Sequence, residues 1–89
     1  MNPEEYIGLL AGILGMIAWF PQIYKIWVKK KADGISLSAF SIITLALLLW
    51  LVYGIIIGSI SLIVSNSITL LLILIILIGA KIVQLSQSK

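Results

Sequence analysis

Three long runs without charged residues dominate the chain, and they predict three membrane-spanning helices. The runs cover residues 6–24, 37–57 and 60–80. Each run has about the 20 residues that a helix needs to cross the hydrocarbon core of a bilayer. Only Gly58 and Ser59 separate the second run from the third. One helix over both runs would be too long for a bilayer, so we predict a tight turn at this break.

The whole chain, residues 1–89, is expected to form one all-α unit with spans at about 6–28, 37–57 and 60–80. Asn2 can cap the first helix, and the two acidic residues that follow suit the positive end of the helix dipole. An acidic start is not typical of a signal peptide, so the first span is expected to remain in the mature chain. Asp33 and Gly34 predict a turn, and Ser36 or Ser38 can cap the next helix.

Composition supports a membrane protein, because 62% of the 89 residues are hydrophobic and only 10% are charged. A soluble domain has about half apolar and a quarter charged residues. The six lysines lie at positions 25, 29, 30, 31, 81 and 89, on one side of the predicted topology. For a protein of a prokaryotic inner membrane, this bias predicts an outside N-terminus and a cytoplasmic C-terminus. The lysines then orient the chain in the bilayer, and nucleic-acid binding is not expected.

Catalysis has little support in the sequence. The chain contains no Cys and no His, which excludes disulfides, thiolate chemistry and imidazole bases. It also lacks the two best ligands for transition metals, so we expect neither a metal nor a cofactor and no enzymatic activity. No Asp, Glu, Lys, Arg or His lies in the interior of a span, and such residues are the groups that relay protons in pumps and antiporters. Transport coupled to protons is therefore not expected.

The polar and aromatic residues inside the spans are the candidate site. An unpaired Asn66 amide would cost about 4–8 kcal/mol in hydrocarbon, so it needs a partner or a cavity. Trp50 lies about two turns below the end of its span, and its indole N–H needs a partner or a ligand. Carbohydrate sites pair an aromatic plane, which stacks on the C–H face of the sugar ring, with amides that bind its hydroxyl groups. Trp50 and Asn66 offer both kinds of group. A simple interhelical hydrogen bond of Asn66, core packing of Trp50 and an interfacial position for Tyr53 are the alternatives.

Pro21 lies inside the first span, where it removes the hydrogen bond to the carbonyl of Ile17 and predicts a kink. The kink serves either a structural role or a hinge, since neighbouring helices can satisfy the freed carbonyl. Gln22 adds an amide near the cytoplasmic end, where lipid headgroups could satisfy it.

Three helices packed about one axis leave no path for a solute, so transport would require further subunits. A dimer supplies six helices, and two copies with the same lysine bias insert in parallel about a twofold axis. Two copies of Trp50 and Asn66 could then enclose one small solute while two Pro21 hinges let the halves rock, as alternating access requires.

These residues resemble the SemiSWEET family of sugar transporters. The resemblance rests on Pro-Gln at 21–22, Trp-Leu-Val-Tyr-Gly at 50–54, Asn66, and the Asp-Gly-Ile-Ser loop at 33–36. It implies a three-helix bundle with the third span between the other two, and a parallel homodimer that moves sugar by alternating access. Many members carry an Arg and an Asp where this chain has Ile57 and Ser59, so no charged outer latch is expected.

The resemblance also implies roles for single residues. These are a hinge at Pro21 and Gln22, sugar binding by Trp50 and Asn66, an outer gate at Tyr53, and an inner gate at Phe40 and Ile43. Without the charged latch, outer closure is expected to depend on Tyr53 packing or on a weaker hydroxyl contact.

The leading functional hypothesis is a homodimeric facilitator for a mono- or disaccharide, without ion coupling. A small structural or pore-forming protein, such as a holin-like oligomer or an accessory subunit, is the alternative from another class. A carrier of amino acids or another polar metabolite shares the Pro-Gln motif, but such relatives usually bear acidic residues in the membrane.

Overall fold

The computed structural model describes residues 2–87, which form three helices and no strands. They are α1 (Pro3–Trp27), α2 (Leu37–Ile57) and α3 (Ile60–Gln87). All three are long and apolar enough to cross a membrane. α2 matches its apolar run, whereas α1 begins before the first run and α3 continues beyond the third. Positions 1, 88 and 89, and with them the charge of Lys89, lie outside the described residues.

The helix ends follow from the capping residues. The Asn2 side chain accepts a hydrogen bond from the Glu5 N–H at 2.9 Å, and Ser36 accepts one from the Ala39 N–H at 3.1 Å. Ser36, rather than Ser38, is thus the cap of α2. α2 ends at Ile57 and is capped by Gly58, whose φ of 71° is left-handed, and α3 begins two residues after this glycine. Glycine adopts this conformation without steric cost. The short, left-handed connection between α2 and α3 confirms the predicted tight turn.

α3 lies between α1 and α2 and packs against both, while the backbones of α1 and α2 make no contact with each other. Most buried residues are on α3, and the centre of its Leu- and Ile-rich run is among them. The largest fully buried side chains are Ile26, Ile73 and Ile76, near the end of the bundle that carries the lysines. The outer faces of α1 and α2 remain apolar and exposed, as a protein surrounded by lipid requires.

The loop between α1 and α2 is packed onto the C-terminal turns of α3. The Gln84 amide donates to the carbonyls of Ala32 at 3.2 Å and of Ile35 at 2.9 Å, and Ala32 is buried. Lys25 forms an ion pair with Asp33 at 3.9 Å on the outside of the same loop. The last turns of α3, which extend past its apolar run, thus hold this loop.

Candidate functional site

Trp50 and Tyr53 lie side by side on the face of α2 that α3 does not cover. Their ring centroids are 5.7 Å apart with an interplanar angle of 82°, which is an edge-to-face arrangement. The two side chains are 54% and 49% exposed. Together with Ala46 and Leu49 they line a shallow, open pocket of about 400 Å³. The pocket thus presents an aromatic and apolar surface to the outside of the protomer.

The indole N–H of Trp50 donates no hydrogen bond to any of the described residues. A buried indole normally finds an acceptor, since the N–H is a strong donor. Here the ring is held by its edge contact with Tyr53 while its N–H stays available. The expected need of this group for a partner or a ligand is therefore unmet within residues 2–87.

Asn66 lies on α3, where it is 9% exposed. Its Nδ2 donates to the carbonyl of Leu62 at 2.8 Å, one turn earlier on the same helix. The interhelical hydrogen bond considered from the sequence is thus replaced by an intrahelical one. An amide offers two donors and one acceptor oxygen, and among the described residues only this one bond is made. Asn66 retains hydrogen-bonding capacity for a ligand, although no hydrogen bond joins it to Trp50.

Pro21 lies within α1, which continues as a helix through Trp27. The carbonyl of Ile17 therefore lacks its usual partner four residues later. The neighbouring Gln22 is half-buried, and its Oε1 is enclosed without a hydrogen-bond partner among the described residues. That oxygen lies inside the protein rather than open to headgroups. Leaving a buried acceptor unpaired costs about 1–3 kcal/mol. This part of α1 is therefore less stable than a fully hydrogen-bonded stretch of helix.

The residues expected at the inner gate pack against the core of the protomer. Phe40 makes an edge contact with Trp19 of α1, with ring centroids 5.9 Å apart and an interplanar angle of 72°. Phe40 and Ile43 both contact the cluster around the buried isoleucines. The Trp19 contact joins the two helices whose backbones do not touch. The sequence did not single out Trp19, because nothing in its spacing marks a partner on another helix.

At the opposite end of the bundle, Glu5 links the start of α1 to the start of α3. Its carboxylate accepts a hydrogen bond from the Ser59 hydroxyl at 2.8 Å and from the Ser61 N–H at 2.7 Å. Ser59 and Ser61 are both buried. The first amides of a helix have no partner within it, and a carboxylate there also suits the helix dipole. Glu5 therefore caps α3 from another helix, a contact that the sequence did not predict.

Metal-binding side chains are not grouped in the part of the chain that the structure describes. Among residues 2–87, no three His, Cys, Asp or Glu side chains lie close enough together to hold an ion. The polar groups of the pocket are the Trp50 indole N–H and the Tyr53 phenol, whereas the Asn66 amide is not among the residues that line it. All three groups are neutral. Such groups suit a neutral ligand with hydroxyl groups and an apolar face.

Comparisons with known proteins place this geometry in a family. The PQ-loop repeat matches residues 4–63, which include α1 from its second residue, all of α2 and the start of α3. The structure is similar to the crystal structure of a bacterial homologue of SWEET transporters, with a TM-score of 0.87 and 33% identity. The match covers 92% of this chain and 99% of that one. The fold and the site therefore define a three-helix PQ-loop membrane protein.

Two relatives narrow the class. The chain is 40% identical over 68 residues to the sugar transporter SemiSWEET of Bradyrhizobium diazoefficiens, covering 76% of this chain and 79% of the relative. It is 32% identical over 74 residues to the sugar transporter SemiSWEET of Leptospira biflexa, covering 83% and 87%. The chain belongs to the SemiSWEET family, which confirms the resemblance seen in its motifs. These relatives are named as transporters, in agreement with the prediction that the chain is not an enzyme.

Proposed function

We propose that the chain forms a parallel homodimer that carries a mono- or disaccharide across the membrane by alternating access, without ion coupling. The observation that carries the proposal is the open pocket of Trp50 and Tyr53, in which the Trp50 indole N–H has no partner among the described residues. In a chain with relatives named as sugar transporters, such a pocket suits the apolar face and the hydroxyl groups of a sugar.

In the proposed binding mode the sugar ring stacks on Trp50, and Asn66 contacts its hydroxyl groups. Asn66 has a free N–H and a side-chain oxygen for this purpose, because its other N–H is bonded to Leu62. One protomer leaves the pocket open on one side. A second copy related by a twofold axis would close it and would present the same two residues from the other side.

The proposed movement uses Pro21 as a hinge in each protomer. α1 is attached to α3 at both ends, by Glu5 at one end and by the buried Ile26 at the other. Between these attachments, Pro21 removes one helical hydrogen bond and Gln22 keeps an unpaired oxygen. Bending at this point therefore breaks few bonds and can give the Gln22 oxygen a partner. Tyr53 at the outer end and Phe40 with Ile43 at the inner end would close the path in turn.

Counterflow in proteoliposomes tests the function. Vesicles loaded with an unlabelled sugar should accumulate the same labelled sugar, and uptake should saturate with concentration. Trp50→Ala and Asn66→Ala should each lower uptake at least tenfold, because each removes a direct contact. Ile56→Ala and Ser67→Ala are the matched controls, since both side chains are exposed and lie on the same helices. These two variants should transport like the parent.

Three outcomes would contradict the proposal. The first is the absence of counterflow for any labelled sugar, and the second is normal uptake by the Trp50 and Asn66 variants. The third is leakage of unrelated solutes without saturation, which would favour the pore-forming alternative. A requirement for a proton gradient would refute only the uncoupled mechanism.

We also propose that the N-terminus lies outside the cell and the lysine-rich end lies in the cytoplasm. The support is the position of the lysines 25, 29, 30, 31 and 81 at one end of the bundle. The chain has no cysteine, so a single introduced cysteine is a unique label. In intact cells, a membrane-impermeant thiol reagent should label Asn2→Cys and should leave Ser86→Cys unlabelled until the membrane is opened. The reverse labelling pattern would overturn the orientation.

A further inference from the structure

A second groove lies between the C-terminal ends of α1 and α3, at the lysine-rich end of the bundle. Its volume is about 390 Å³, similar to that of the pocket at Trp50. Apolar side chains, among them Ile26, Ile82 and Val83, form its floor. Lys30 and Ser86 add polar groups to the lining. The groove therefore joins a hydrocarbon-like floor to a basic and polar margin.

The groove is built around the indole of Trp27, which lies against Gly79. A Cβ atom on Gly79 would lie 2.7 Å from the Trp27 ring, so only glycine leaves room for it. The Trp27 Nε1 donates to the carbonyl of Ile75 at 3.2 Å, which fixes the orientation of the ring. The ring remains 38% exposed and forms part of the groove lining.

Lys30 is held at the margin of the groove by its backbone. Its φ of 57° is left-handed, a conformation that non-glycine residues rarely adopt. The Lys31 N–H then donates back to the Lys25 carbonyl at 3.1 Å, which closes the end of α1. In this position the Lys30 Nζ lies 6.0 Å from the centroid of the Trp27 ring. The ammonium group is thus placed over the ring that forms one wall.

The charge at this margin is not neutralised within residues 2–87. Asp33, the acidic residue of the adjacent loop, pairs with Lys25, and among residues 2–87 no carboxylate lies within ion-pair distance of Lys30. The apolar run of α3 ends at Ala80, so the groove spans the level at which the membrane interior gives way to headgroups. A ligand that fits both parts has an apolar chain and an anionic head.

We infer that the groove binds an anionic phospholipid of the adjacent leaflet. One acyl chain lies along the floor of Ile82 and Val83, and the phosphate contacts the Lys30 ammonium and the Ser86 hydroxyl. Basic pockets between transmembrane helices commonly bind anionic headgroups. A free phosphate ion would leave the apolar floor unfilled, whereas a phospholipid covers the floor and the charge together. This inference does not depend on the proposed sugar transport.

Quenching of Trp27 fluorescence by brominated lipids tests the site. In a Trp19→Phe/Trp50→Phe background, Trp27 is the remaining tryptophan. Vesicles would contain phosphatidylglycerol and phosphatidylcholine in equal amounts, with bromine on the acyl chains of one of them at a time. Brominated phosphatidylglycerol should quench Trp27 more strongly. Lys30→Gln should reduce this preference about fivefold, the contribution of one basic residue near an anionic surface.

Lys29→Gln is the matched control, because Lys29 lies over the Tyr24 ring and does not line the groove. At 0.15 M salt or above, where surface charges are screened within about 8 Å, it should change the preference by less than twofold. Lys30→Arg should keep the preference, since arginine also binds phosphate.

Native mass spectrometry of the unaltered chain checks the result without the tryptophan substitutions. The parent should retain more bound phosphatidylglycerol than phosphatidylcholine. Lys30→Gln should lose this preference, and Lys29→Gln should keep it. Equal quenching by the two lipids, or equal effects of Lys29→Gln and Lys30→Gln, would overturn the inference. Displacement of the lipid by inorganic phosphate would assign the site to a free anion instead. Protection of Trp27 from both lipids would show that a second copy of the chain covers the groove.

Discussion

The close approach of α1 and α3 depends on Gly12, and its replacement by alanine gives a sharp test of the packing. A Cβ atom at this position would lie 2.7 Å from the Ser65 Cβ and would also collide with the Ser65 hydroxyl. Rotation of the serine can move the hydroxyl but not the Cβ atom. Gly12→Ala therefore forces the two helices apart. Gly15, one turn further along the same helix, has no atom within 4 Å of an added Cβ.

Gly15→Ala is consequently a matched control with the same gain in helix propensity. That gain is about 1 kcal/mol in a helix interior, so Gly15→Ala should be more stable than the parent by up to this amount. Gly12→Ala has the same gain but also pays for overpacking, which costs about 1–3 kcal/mol. The difference in the free energy of unfolding between the two variants should therefore be about 1–3 kcal/mol, and it isolates the helix contact.

The assay is equilibrium unfolding in mixed detergent micelles, followed by circular dichroism at fixed protein concentration. Ser65→Gly combined with Gly12→Ala removes the colliding Cβ atom and should restore most of the lost stability. Combined with Gly15→Ala, the same change should show no coupling, because coupling requires contact. Equal stability of Gly12→Ala and Gly15→Ala, or no rescue by Ser65→Gly, would refute the assigned packing.

Three further perturbations test other contacts. Glu5→Gln weakens the hydrogen bonds to Ser59 and Ser61 and should lower the melting temperature. Glu4→Gln changes an exposed side chain and should leave the melting temperature unchanged. Equal melting temperatures of the two variants would contradict the cap. Gln84→Ala frees two loop carbonyls, should cost about 1–3 kcal/mol for two hydrogen bonds, and should speed amide exchange in residues 31–36. Pro21→Ala should slow counterflow, because it restores the helical hydrogen bond to the Ile17 carbonyl. Pro3→Ala, at the first helical position, should not slow it. Normal transport by Pro21→Ala would refute the hinge.

The element bounds were predictable because local residues set them. Asn2, Ser36 and Gly58 determine where helices begin and end through their own backbone and side-chain bonds. The uninterrupted apolar runs required helices of bilayer length. The central position of α3 came from the family resemblance alone. A helix that is apolar on all sides gives no sign of which face is buried, since lipid tails are as apolar as neighbouring side chains.

Contacts between helices were the part that the sequence did not predict. Glu5 has its partners 54 and 56 residues away, and its spacing from Pro3 fits an ordinary first helical turn. The Trp27 contact with Gly79 likewise joins positions with no shared local pattern. In the candidate site, Trp50 and Tyr53 are three residues apart, a spacing that puts them on one face of α2, and their rings are in contact. The intrahelical bond of Asn66 depends on a rotamer choice that spacing does not determine.

The distribution of attachments indicates which parts of a protomer can move together. Gln84 ties the first loop to α3, and Trp27 ties the end of α1 to the same helix, so these three elements form one body at the lysine-rich end. At the opposite end, Glu5 ties the start of α1 to the start of α3. In the proposed mechanism, movement within α1 would lie in the segment around Pro21, which has already removed a hydrogen bond. A carrier built this way would change its access by bending α1 against a fixed α3, and not by sliding whole helices past one another.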